Sequence, residues 1–181
     1  GPSMNRFEAD CRPVLIGSLP HLNHRDAVSL IFDHTPHIPI WPQLPHYREE
    51  GMLLQFISGM PGITEQDYKL FIDTWADDFD TEFLGFFEEY LGVIEGAIEL
   101  ADSRFVLEEK EAPGFELFLD EARRRHAELV ALKGQITGPV TFCTGLTDQQ
   151  GRALFYDEQL RDAAVKLLGL KARYMTRKMA D

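Results

Sequence analysis

Val14-Leu15-Ile16-Gly17-Ser18-Leu19-Pro20 is a short apolar, β-branched run cut off by a glycine and then a proline, the pattern of a buried strand that ends in a turn. Just downstream, Asn23 can cap a helix whose stripe is Ala27, Val28, Leu30 and Ile31, running to about Asp33. Ile38-Pro39-Ile40-Trp41 reads as a second short strand, with Pro39, Pro42 and Pro45 forcing an edge position or an irregular exit. Thr64 and Asp67 have capping-box spacing and open a helix through Leu70, Phe71, Thr74 and Trp75. A second helix over 80–102 carries Phe83, Leu84, Phe87, Tyr90, Leu91, Ile94 and Ile98 on its apolar side, with Glu82, Glu88, Glu89, Glu95 and Glu99 on a solvated one. Phe105-Val106-Leu107 is a brief strand, and Pro113 starts a helix with the stripe Phe115, Phe118, Leu119, Ala122, His126 and Leu129. Leu129 to Leu132 and Gln135 to Thr137 are strand-like. Asp157 caps a last helix through Leu160, Ala164, Leu167, Leu168, Lys171 and Met175. Short strands alternating with helices make about four βα units, so the spacing predicts an α/β fold with parallel strands buried on both faces.

The chain has 181 residues, enough for about one domain. With 44% hydrophobic and 11% aromatic residues it has the material for a core, which excludes a disordered chain. A formal charge of −12 argues against nucleic acid and anionic membranes as partners. The acidity is local, because residues 65–121 carry −15 and the remainder +3. Gly1-Pro2-Ser3 ahead of Met4 reads as an expression-tag remnant, leaving 4–181 as the domain. The residues after Met4 lack an apolar signal-peptide core, and no apolar run is long enough to span a bilayer, so a cytoplasmic protein is expected. Cys11 and Cys143 are too few for a disulfide framework or a cysteine-based metal site.

Three clusters could carry chemistry. In Ile16-Gly17-Ser18-Leu19-Pro20-His21 the glycine admits a ligand to the backbone, and the Ser18 amide and hydroxyl can bind a carboxylate. A plain turn is the competing account. In Ile136-Thr137-Gly138-Pro139-Val140-Thr141 a glycine and polar residues sit in an uncharged run over 134–147, and a buried structural turn is the alternative. His21, His24, His34, His37 and His46 suggest metal pairs, but their spacing does not put rings on a shared helical face. His126 reads as a core or boundary histidine. The common nucleotide, serine-hydrolase and metalloprotease motifs do not occur.

Ile16-Gly17-Ser18-Leu19-Pro20 and Gly134-Gln135-Ile136-Thr137-Gly138-Pro139-Val140-Thr141 together resemble the catalytic barrel of cobalamin-independent methionine synthase. More widely, the chain is similar to the methionine synthase and uroporphyrinogen decarboxylase-like superfamily of methyltransferases. The resemblance implies a TIM (βα)8 barrel, of which this chain would be the N-terminal half. It implies that Ile16, Gly17 and Ser18, with His21 beside them, contact a small-molecule thiol substrate, and that Gly138, Pro139, Val140 and Thr141 line the barrel mouth. It also implies a zinc ion that activates the thiol, with ligands in the half absent here, and a folate or corrinoid methyl donor, so no cofactor is expected in this chain itself. Phe142-Cys143-Thr144-Gly145-Leu146 departs from the folate-using pattern and leaves a corrinoid open.

Length gives the same expectation, since a complete barrel takes about 250 residues and four βα units are half of one. Open parallel edges would need covering, by self-association, by a separate second half-barrel, or because the chain is a shortened or split piece of a longer parent. The expected isolated chain is inactive. The alternative is a non-catalytic binding or assembly subunit whose acidic helical region docks a basic partner.

Overall fold

The computed structural model describes residues 23–41, 54–108, 111–129, 131–134 and 136–181. Its helices and strands are α1 (His24–His34), β1 (Ile63–Gln66), β2 (Lys69–Ile72), α2 (Phe79–Ile94), α3 (Pro113–Arg124), α4 (Pro139–Gly145) and α5 (Glu158–Ala180). They fall into two compact units, one holding α1 and α3 and the other β1, β2, α2, α4 and α5.

In the first unit, α1 begins where the sequence places it. Asn23 Oδ1 accepts from the Asp26 N–H at 2.8 Å, satisfying one of the donors that a helix start leaves open. Ala27, Val28, Ile31 and Phe32 are buried along one stripe. α3 opens on Pro113, whose missing N–H costs nothing in a first turn. It buries Phe115, Phe118, Leu119 and Ala122. The rings of Phe32 and Phe118 meet at 5.4 Å, and those of Trp41 and Phe115 at 4.9 Å. Gly114 permits this approach, because a Cβ there would lie 2.7 Å from the His24 ring. Arg125 then spans the pair, 3.1 Å from Asp33 and with its guanidinium 5.6 Å above the Phe32 ring.

The second unit holds a hairpin. β1 and β2 pair antiparallel, from Ile63 opposite Ile72 to Gln66 opposite Lys69. Asp67 and Tyr68 form the turn with φ of 51° and 63°, the left-handed pair that characterises a type I′ connection. Gly62 enters β1 at φ 81°. Its carbonyl accepts from the Asp73 N–H at 2.8 Å and its own N–H donates to Glu82 Oε2 at 3.1 Å. A Cβ at Gly62 would stand 2.9 Å from the Phe79 ring. Gly62→Ala is therefore expected to destabilise by about 2 kcal/mol, combining left-handed strain with a ring clash, as measured by urea unfolding; a loss under about 0.5 kcal/mol would contradict this packing.

α5 is the spine of the second unit. The Asp157 carboxylate accepts from the Leu160 N–H at 3.0 Å, as expected of an N-cap. Leu160, Ala164, Leu167, Leu168, Lys171 and Met175 are buried.

The expected parallel half-barrel is not what forms. The described residues are mostly helical and carry a single antiparallel two-stranded sheet. The capping-box helix over 64–75 is instead the hairpin and a turn, because Thr64 pairs with Phe71 and Asp67 sits in the turn between the strands. Ile38 to Trp41 runs parallel to 131–133, with Trp41 N–H to Lys133 O at 2.8 Å and Lys133 N–H to Pro39 O at 2.9 Å. The pairing stays an isolated bridge at Ile40 and Lys133, since Pro39 supplies no N–H. Phe105 to Leu107 adopts turn and bend geometry with Phe105 and Leu107 buried. Gln135 lies outside the described residues, as does the leading Val14-Leu15-Ile16 strand, and 136–137 is not a strand. With no parallel barrel edge among the described residues, nothing there calls for a second half-barrel to cover one.

α2 also differs from expectation, in which side it buries. Phe79, Phe86 and Val93 are its buried residues, whereas Leu84, Leu91 and Ile94 are exposed. It stops at Gly96, whose φ is 81°, with the Gly96 N–H donating to Val93 O at 3.2 Å. Ile98 then folds back so closely that a Cβ on Gly92 would lie 2.6 Å from it.

Candidate functional site

A lysine on an otherwise apolar stripe is the most unusual feature of α5. Lys171 is fully buried, and its Nζ donates to the Phe56 carbonyl at 3.1 Å and to Ser58 Oγ at 2.8 Å. The Ser58 hydroxyl donates onward to Glu111 Oε1 at 2.6 Å, and the Ser58 N–H donates to Oε2 at 3.3 Å. Gln55 Nε2 donates to the Glu111 carbonyl at 3.1 Å. Burial lowers the Lys171 pKa to about 8 against the opposing pull of Glu111 and Glu108. Burial likewise raises the Glu111 carboxyl, with Lys171 and the Ser58 hydroxyl opposing. A serine held between an amine and a carboxylate can relay a proton between them. Two open concavities among the described residues lie elsewhere: one of about 580 Å³ is lined by Gln66, Asp67, Lys69, Leu70, Phe71 and the 147–151 loop, the other of about 620 Å³ by Glu158, Arg161, Asp162 and Val165. The Lys171 network therefore acts as a tie, fastening α5 to the 55–58 segment and to Glu111.

Of the residues singled out in the sequence, Ile16, Gly17, Ser18 and His21 lie outside the described residues, as do His46 and Cys11. Gly138, Pro139, Val140 and Thr141 are described, and all four are exposed. Gly138 is the N-cap of α4, with φ −67° and ψ 153°. Thr137 before it is buried, and Phe142 and Cys143 after it anchor the turn in the second unit. The uncharged 134–147 run is thus not a wholly buried segment: Val140 is 66% exposed. Burial raises the Cys143 thiol pKa, with Arg161 opposing, so it stays protonated and behaves as a small apolar residue.

Among the described residues no group of His, Cys, Asp and Glu converges to hold a metal ion. His34 and His37 are both exposed, and the His34 ring hydrogen-bonds the Leu30 carbonyl at 2.9 Å. His126 is exposed in a short 3-10 turn and not on the buried stripe of α3. No helix among the described residues is long and apolar enough to cross a membrane.

Lys171 falls on the apolar stripe that the spacing predicts for α5, where a lysine needs buried acceptors. That position was the available signal for the network; Ser58 and Glu111 carried none. No protein-family model, curated protein or solved structure matches this chain.

Proposed function

We propose that this chain contributes substrate-binding turns to a methionine synthase-like methyltransferase, one that moves a methyl group from a folate or corrinoid donor to a thiol. The reading rests on the two motifs and not on a barrel. The observation that carries it is Gly138. Its φ of −67° is open to any residue, and a Cβ added there would meet nothing within 4 Å. Glycine is itself a favourable N-cap, only a few tenths of a kcal/mol short of Ser, Asn or Asp, and it leaves the backbone there bare. A bare backbone beside exposed Val140 and Thr141 is what close approach by an external molecule calls for. The described residues do not fit a zinc site, so the role given to this chain is to bind and orient the thiol substrate.

The test is calorimetric titration of the chain with thiol amino acids as probes. Saturable binding is expected, weakened about tenfold by Thr141→Val through loss of one hydrogen bond. Gly138→Ser is the sharper variant: unfolding should be unchanged or slightly harder, since serine is at least as good an N-cap and the space beside it is open, while binding falls. No saturable binding, or affinity indifferent to both changes, would remove the proposal.

A further inference from the structure

α2 is apolar on two opposite sides. Phe79, Phe86 and Val93 face inward, while Leu84 is 61% exposed, Leu91 52% and Ile94 45%. At about 100° per residue, Leu84 and Leu91 fall within about 20° of one line along the helix, nearly opposite Phe86. Asp80, Glu88 and Glu95 are exposed and lie within about 40° of that line. Other acids of the helix are already engaged: Glu82 accepts from the Gly62 N–H at 3.1 Å, and Glu89 accepts from the Arg104 N–H at 2.6 Å. α2 contains no lysine or arginine.

An exposed leucine pair seven positions apart is the spacing with which one amphipathic helix meets another. The flanking carboxylates decide the sign of the visitor. We propose that the outer face of α2 docks a cationic amphipathic helix of another polypeptide. Apolar residues at i, i+3 or i+4, and i+7 of that helix cover Leu84, Leu91 and Ile94, and its Lys or Arg flanks meet Asp80, Glu88 and Glu95. The same face of a second copy would oppose carboxylates to carboxylates, which disfavours symmetric self-pairing. The proposal stands apart from methyl transfer, because it uses none of the motif residues.

The experiment is a fluorescence-anisotropy titration of the full chain with a labelled Leu/Lys amphipathic peptide of about 18 residues, long enough to form a helix on contact, beside its Leu/Glu counterpart. The Leu/Lys peptide should bind saturably, and more weakly as salt rises. Glu88→Lys with Glu95→Lys should weaken it at least about tenfold, and Leu84→Ser with Leu91→Ser by a similar factor. The same charge change placed at Glu128→Lys with Asp181→Lys should cost less than about threefold. Circular dichroism checks that α2 survives; if the double serine variant loses helix, Leu84→Gln alone replaces it. Equal binding of both peptides, equal loss in the distant charge control, or no saturable binding would overturn the proposal. So would light scattering showing a dimer that the leucine variants dissolve, since a second copy would then own the face.

Discussion

Glu111→Gln is expected to lower the unfolding free energy by about 3–5 kcal/mol, among the largest effects of any single polar substitution in the chain. The carboxylate is the principal counter-charge of buried Lys171 and the acceptor of two Ser58 hydrogen bonds. Its removal strands an ammonium group without its nearest compensation. Glu111→Gln combined with Lys171→Met should recover most of the loss, because the cost lies in breaking the pair and not in lacking it. Urea unfolding checks both. If the double variant is as unstable as the single one, the network owes its value to packing alone.

The pH dependence has a definite sign. Lys171 titrates near 8 when folded against an ordinary 10.5, so between those values the unfolded chain holds a proton that the folded chain lacks. Stability from this group is therefore fully present above 10.5 and is lost as pH falls through about 8, worth at most about 3 kcal/mol. Glu111 is raised, so its contribution is present below its ordinary value of 4.5 and is lost as pH climbs through the folded value. At neutral pH the net effect of both groups opposes folding, a balance that already includes their mutual attraction and the Ser58 bridge.

Phe86→Ala should cost about 3–5 kcal/mol, while Leu84→Ala, two residues away, should stay within about 0.5 kcal/mol. Phe86 is fully buried, with the Phe105 ring edge-on at 5.6 Å and the Arg104 guanidinium 5.5 Å from its centroid. Leu84 projects outward. The contrast is read directly from denaturation midpoints. Equal losses at the two positions would mean that α2 is turned the other way, and the docking face would disappear with it.

That contrast also shows where the sequence was legible. α1, α3 and α5 announce themselves through Asn23, Pro113 and Asp157, each doing locally what a helix start needs. α2 is visible as a helix, but apolar residues surround it, so periodicity alone cannot choose between the Phe86 side and the Leu84 side; tertiary packing chooses. The hairpin was hidden because Asp67-Tyr68 lacks the glycine usual in such turns, and because Thr64 and Asp67 imitate a cap. The parallel fold failed for a related reason. Apolar runs at 38–41 and 105–107 are too short for their neighbours to distinguish a strand from a buried bend. Of the site, the Gly138 to Thr141 turn could be marked in advance, whereas Ser58 and Glu111 reach Lys171 only through three-dimensional closure.

The Lys171 contact with Phe56 joins residues 115 positions apart. During synthesis at about 5–20 residues per second, the 54–60 segment emerges on the order of 10 s before its anchor exists. Phe56, Ile57 and Met60, all buried in the finished unit, are on offer to chaperones throughout that wait. Until α5 leaves the ribosome, that apolar surface lacks its anchor and is open to misassembly.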